Sequence, residues 1–193
     1  MLAKMTRRYI VGLLAVGLIG TGLVYAAEKD GDQPPKVGEN AEDFSLKNLQ
    51  GETVALAKLR KNGPVVVLML RGWPGYQCPI CSRQVTQFLN NADEFAEHDA
   101  TVVLVYPGPS DNLKSRADEF IAGKTLPKNF ELIVDPDYTM TNQYNLRWDA
   151  PRETAYPSTF VIDSDGKVRF AKISKTHAGR SRAPEVLAAL KKL

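Results

Sequence analysis

The chain has 193 residues, 44% of them apolar, which is enough for one full hydrophobic core. Its formal charge is +3, and residues 1–26 hold Lys4, Arg7 and Arg8 but no acid. The remainder is neutral overall, which argues against a nucleic-acid partner.

Residues 9–27 carry no charge and are mostly apolar. A basic start, an apolar stretch and the small-residue exit Val24-Tyr25-Ala26 form a secretory signal peptide, with cleavage expected after Ala26. The run is also long enough to cross a bilayer, which takes about 18–20 residues. Membrane attachment through residues 9–27 is therefore the alternative. Thr6-Arg7-Arg8 fits a twin-arginine signal as well as ordinary leader arginines. Either way the rest of the chain is expected to be exported, to the periplasm or the extracytoplasmic face of the membrane, where disulfides persist. Residues 27–36, polar and containing Gly31, Pro34 and Pro35, read as a linker ahead of a domain over 37–193.

Within that domain, residues 44–46 and 53–56 are expected as short strands around a turn at Gly51. Val65-Val66-Val67-Leu68-Met69-Leu70 is a continuous apolar run, the pattern of a strand buried on both faces. Residues 82–96 follow as a helix, because Val85, Phe88, Leu89, Ala92 and Phe95 recur at spacings of three and four. A second buried strand over 101–106 stops at Pro107-Gly108-Pro109. A helix over 113–122 is expected with Ser110 or Asp111 as N-cap. A strand over 130–134 and a short helix over 138–144 come next. Strands over 159–162 and 168–171 flank the hairpin signal Asp165-Gly166. Pro184 opens a last helix that runs to Leu190. Alternating strands and helices with a terminal hairpin predict an α/β fold, a mixed central sheet with helices on both faces.

The two cysteines stand in Cys78-Pro79-Ile80-Cys81, between the long strand and the helix after it. A disulfide closing so short a loop removes little chain entropy, so its value is chemical rather than structural. The free N–H groups and dipole at a helix N-terminus favour a thiolate there.

Three segments together resemble the thioredoxin fold and, within it, the peroxiredoxin-like (AhpC/TSA, redoxin) family. They are the Cys-x-x-Cys at its strand–helix junction, Tyr156-Pro157-Ser158-Thr159-Phe160-Val161-Ile162-Asp163, and Val37-Gly38-Glu39-Asn40-Ala41-Glu42-Asp43-Phe44-Ser45-Leu46. The tail Ala183-Pro184-Glu185-Val186-Leu187-Ala188-Ala189-Leu190 is similar to the closing helix of these proteins. The resemblance covers residues 37–193. It implies a thioredoxin-like three-layer sandwich and a thiol-dependent oxidoreductase that needs no cofactor. Its substrate would be a peroxide or a protein disulfide, and a thiol reductant would be its partner.

The resemblance assigns roles in two ways. Pro74-Gly75-Tyr76-Gln77-Cys78-Pro79-Ile80-Cys81 fits the peroxiredoxin pattern Pro-x-x-x-Thr/Ser-x-x-Cys, with Cys78 at the Thr/Ser position. Cys81 would then attack peroxide and Cys78 would resolve its sulfenic acid. The thioredoxin pattern has Cys78 attack a disulfide and Cys81 resolve the mixed disulfide. Peroxiredoxins usually hold an arginine before the late strand, and Pro157 stands there instead. Arg71, at the end of the cysteine strand, and Arg152 are the substitutes, Arg71 being the nearer. The resemblance also implies a cis Pro157 that leaves the backbone edge at Tyr156 free for substrate. Trp73, Pro74 and Tyr76 precede the cysteines and form a candidate substrate rim, or pack as ordinary loop residues.

The competing reading is a metal-binding module. Copper chaperones of the related Sco type carry a cysteine pair and a distant histidine on this fold, and His177 lies late in this chain. Their cysteines are separated by three residues, these by two. A zinc site would need Cys78, Cys81, His98 and His177 to converge. The basic stretch Lys172, Lys175, Arg180 and Arg182 reads as a solvated loop, with contact to phosphate or a membrane headgroup as the alternative.

Overall fold

The computed structural model describes residues 33–193. The expected leader and most of the expected linker lie outside them, while Gln33 to Lys36 form neither helix nor strand. In chain order the elements are β1 (Ser45–Asn48), β2 (Thr53–Ala55), α1 (Leu56–Leu59), β3 (Val65–Met69), α2 (Pro79–Leu89), α3 (Ala92–Glu97), β4 (Thr101–Gly108), α4 (Leu113–Ile121), β5 (Phe130–Pro136), α5 (Thr139–Gln143), β6 (Ser158–Ile162), β7 (Val168–Ile173) and α6 (Ala183–Leu190). The strands form one sheet in the order β2-β1-β5-β4-β3-β6-β7. β3 pairs in parallel with β4, and β4 with β5, while the other neighbours are antiparallel. This is the expected mixed sheet.

The strand run at 65–69 is apolar throughout because both of its faces are covered. Val66, Leu68 and Leu70 pack with Val85 and Phe88 of α2, Ala117 and Phe120 of α4, and Val186 and Leu187 of α6. Val65, Val67 and Met69 point the other way, onto Leu56 of α1, Met140 of α5 and Phe160. Side chains alternate across a strand, so one apolar stretch serves two cores and makes the middle of a three-layer sandwich.

Three local expectations are corrected. The helix expected over 82–96 is two helices, α2 and α3, separated at Asn90 and Asn91. The Asn91 side chain donates to Gln87 O at 2.7 Å, and its amide bonds Phe88 O in a tighter turn at 3.1 Å. An amide side chain competing for backbone acceptors ends the helix. The apolar periodicity continues across the break, with Phe88 and Phe95 stacked at 5.4 Å. The residue that begins α4 is Asn112, in a left-handed conformation with φ 56° and no side-chain cap, not Ser110 or Asp111. Asn tolerates that conformation best among non-glycine residues. Pro184 follows Ala183 into the first turn of α6 rather than opening it.

Candidate active site

β3 ends at Met69, and the chain must turn sharply to start α2. Arg71, Gly72 and Trp73 make the turn against the end of β4, where Trp73 N–H donates to Pro107 O at 3.0 Å. Gly72 has φ +64°, and a Cβ there would meet Pro107 O at 1.8 Å, so only glycine lets the two backbones approach.

Cys78 is the N-cap of α2. Its Sγ accepts the Cys81 N–H at 3.3 Å, and Pro79 occupies the first helical position, where a missing N–H costs nothing. Cys81 lies one turn deeper, and its Sγ accepts the Arg71 N–H at 3.4 Å. Both sulfurs are free thiols, Cys78 4% exposed and Cys81 1%.

Their acidities are split. The Cys81 thiol donates to Cys78 Sγ; burial opposes the charge, but the Cys81 amide, Arg180 and Arg71 reinforce it, and Cys78 is pulled down to about 5. Burial pushes the Cys81 thiol well up, and its hydrogen bond to Cys78 adds to the rise. The arrangement therefore offers one thiolate at neutral pH and one protonated thiol beside it.

The cation that faces Cys78 is Arg180, expected from the sequence to be a solvated loop residue. Arg180 Nη2 lies 3.9 Å from Cys78 Sγ. Gln84, on α2, holds it: Oε1 accepts from Arg180 Nη1 at 3.1 Å, while Nε2 donates to Ser181 O at 3.0 Å. Arg180 Nε donates to His177 O at 3.1 Å. The end of the stretch expected as a solvated loop, at Arg180 and Ser181, is thus tied to α2, while Lys172 lies in β7. The one signal that points to it is a basic residue in a segment tied to a buried glutamine, and this tie is invisible in one dimension.

Arg71 is buried, 3% exposed, and its guanidinium is fully engaged. Nε donates to Glu153 Oε2 at 2.6 Å, Nη1 to the Tyr76 hydroxyl at 2.5 Å and Nη2 to Arg152 O at 2.7 Å. Burial disfavours its charge, yet the bonds to Glu153 and Tyr76 hold it above its ordinary value. The other Glu153 oxygen meets His177 Nε2 at 2.8 Å. Burial works against that carboxylate, but Arg71 and His177 keep its pKa below the usual range. Arg152 contributes its carbonyl, and its side chain is exposed.

Among the rim candidates, Tyr76 is 45% exposed with Arg71 5.1 Å from its ring centroid, and Trp73 lies under Arg116 at 4.3 Å. Pro74 is half-buried in the same loop. Tyr156 stacks on Trp148 at 4.9 Å, with Lys175 Nζ 4.4 Å above its ring.

The expected cis bond before Pro157 is not there, since no peptide bond among the described residues is cis. Nor is the backbone edge at Tyr156 free. Its N–H donates to Leu146 O at 2.8 Å and its carbonyl accepts from Ser158 Oγ at 2.8 Å, while Pro157 O accepts the Ser174 N–H at 2.9 Å. These bonds absorb the polar groups that a docking segment would need.

The two histidines stand apart. His177 is tied to Glu153 and packs 5.2 Å from the Trp148 ring, while His98 lines a different cavity with Pro64 and Asp163. Among the described residues no three or more His, Cys, Asp or Glu side chains group as metal ligands.

The chain is 27% identical over 139 residues to peroxiredoxin Bcp of Bacillus subtilis, covering 69% of this chain and 82% of that protein. It is 26% identical over 168 residues to the thiol-disulfide oxidoreductase ResA of the same organism, covering 86% and 84%. Among solved structures, the peroxidoxin BcpB of Mycobacterium tuberculosis matches with a TM-score of 0.65 at 26% identity, over 82% of this chain and 98% of that one. Fold, paired thiols and relatives define a thiol-dependent oxidoreductase of the thioredoxin fold. The model of the AhpC/TSA family matches residues 37–171, and the chain belongs to that family.

Proposed function

We propose that this protein is an exported thiol–disulfide oxidoreductase in which Cys78 attacks and Cys81 resolves. The observation that carries the reading is the split between the two thiols. Cys78, capping α2 beside Arg180, titrates at about 5, whereas burial keeps Cys81 protonated. The thiolate is the nucleophile in exchange. Cys78 is therefore poised first, and Cys81 N–H and S–H already point at the sulfur it must later relieve. The similarity to ResA supports disulfide chemistry, and the basic start and apolar run at residues 1–27 support export.

Peroxide reduction at Cys81 is the second reading. Similarity to Bcp favours it, together with the Arg71 N–H at 3.4 Å from Cys81 Sγ. Trapping separates the two. Cys81→Ser exposed to a disulfide should accumulate a mixed disulfide on Cys78, seen by intact mass, and Cys78→Ser should accumulate none. A stable sulfenic acid on Cys81 in Cys78→Ser, formed by peroxide at a rate above that of a free thiol, would overturn the assignment.

A further inference from the structure

Beside the first turns of α2 lies a small cleft that the exchange chemistry above does not use. It has a volume of about 260 Å³, and its walls include Ile80, Arg83, Gln84, Arg180 and Arg182. Ile80 and Arg83 are three residues apart on α2, so they stand on one helix face. Arg180 and Arg182 come from the segment that Gln84 ties down over α2. Arg180 belongs to both places, lining the cleft and reaching Cys78 Sγ.

The charge of this cleft is one-sided. Three arginines line it and, among the described residues, no Asp or Glu does. None of the three forms an ion pair among the described residues. Glu185, which accepts from the Arg182 backbone N–H at 3.4 Å, is already paired with Lys172 Nζ at 2.9 Å. Among the described residues the Arg83 side chain makes no hydrogen bond, in contrast to Arg71, whose three nitrogens all donate. Arg180 already spends Nε on His177 O, Nη1 on Gln84 Oε1 and Nη2 beside Cys78 Sγ, so it adds charge while Arg83 and Arg182 supply the donors that remain. Guanidinium groups on a concave surface recognise carboxylates by paired N–H donors. The volume sits just below the ordinary range for ligand sites, enough for one short arm of a disulfide.

We propose that this cleft binds a carboxylate on the substrate, so that the enzyme prefers disulfides whose arms carry carboxylates. The proposal rests on the reading of Cys78 as the attacking thiol. The Cys78 thiolate attacks one sulfur of the bound disulfide, forms a mixed disulfide and releases the other half as a thiolate. Cys81 gives its proton to solvent and attacks Cys78 Sγ, forming the Cys78–Cys81 disulfide and releasing the second half. Two cysteine thiols are oxidised and one substrate disulfide is reduced to two thiols. The arm held between Arg83, Arg180 and Arg182 aligns the first attack.

Three symmetric disulfides of similar length test this: dithiodipropionate, with carboxylate arms; bis(hydroxyethyl) disulfide, neutral; and cystamine, with ammonium arms. The reduced full-length chain, kept in nonionic detergent, is mixed with each at low ionic strength. Oxidation of Cys78 is followed by alkylation and intact mass, each rate being normalised to that of neutral mercaptoethanol with the same disulfide. The carboxylate disulfide should exceed cystamine by about tenfold or more, the low end of electrostatic steering. High salt should compress the ratio, and the double variant Arg83→Glu, Arg182→Glu should invert it. Equal rates for the two charged disulfides, or a ratio unmoved by the double variant, would overturn the cleft. If none of the three oxidises Cys78, the exchange reading beneath it fails instead.

Discussion

Two arginines approach the cysteines from opposite regions, the turn after β3 and the segment after β7, and they do different work. Arg71 stands next to the cysteine strand in sequence. It is buried, and its charge is matched by Glu153 at 2.6 Å. Arg180 is 102 residues from Cys78, half-buried, bonded to a neutral glutamine, and has its Nη2 at 3.9 Å from the sulfur. A guanidinium already facing a carboxylate offers little net field to a third group, while one held by a neutral partner keeps its charge for its neighbour. Closeness in the chain thus selects the arginine whose charge is already matched, and closeness in space the one whose charge faces Cys78.

Removing each cation is the strongest way to break this contrast. Arg71→Met should destabilise the fold by about 3–5 kcal/mol, because it strips a largely buried Glu153 carboxylate of its guanidinium partner and leaves it only the half-exposed His177. Adding Glu153→Gln to it should recover much of the loss, as measured by urea unfolding. Arg180→Met should cost under about 1 kcal/mol. If both single variants lose equal stability, the distinction is wrong.

Thiol titration sharpens the chemical half. The alkylation rate of Cys78 should rise with pH around a midpoint near 5. Cys81→Ala removes the leading cause of that low value and should shift the midpoint upward furthest. Arg180→Met should shift it upward by about one unit. Arg71→Met/Glu153→Gln should shift it least, since Arg71 contributes least.

The smallest effect tests the outer end of the Arg71 network. The folded pKa of Glu153 is depressed, so its stabilising contribution is complete above the ordinary carboxylate range and is lost as pH falls through the depressed value. Glu153→Gln should remove that acid-limb loss from a stability-against-pH curve. His177→Ala, at a pair whose histidine is 45% exposed, should change stability by under about 1 kcal/mol and shift the acid limb only slightly upward.

The sheet and the strand–helix junction were legible because their causes are local. A doubly buried strand has to be apolar throughout, and a helix has to carry its apolar stripe. The separation of α2 from α3 was hidden, since Phe88 and Phe95 keep the helical rhythm while Asn91 breaks the backbone. Cys78 and Cys81 could be found by spacing, but the split between their acidities follows from depth and hydrogen bonding, which spacing does not encode. The trans Pro157 was missed because the resemblance speaks for a local backbone form that this chain's own bonds from Leu146, Ser158 and Ser174 do not need. The place of Arg180 beside Cys78 was hidden because Gln84, far away in sequence, ties its segment to α2.

The cap that Cys78 Sγ provides to α2 exists in full only when that sulfur carries charge. In the proposed exchange, closing a Cys78–Cys81 disulfide removes the negative charge from the end of the helix and from beside Arg180. Folding energy stored at this cap therefore belongs to the dithiol and is surrendered on oxidation. It acts as a thermodynamic weight on the redox couple, raising its reduction potential by roughly 30 mV for each tenfold of stabilisation. The helix end is in this sense a potentiometric setting: changing its capping would retune which donors can recharge the enzyme without altering either sulfur.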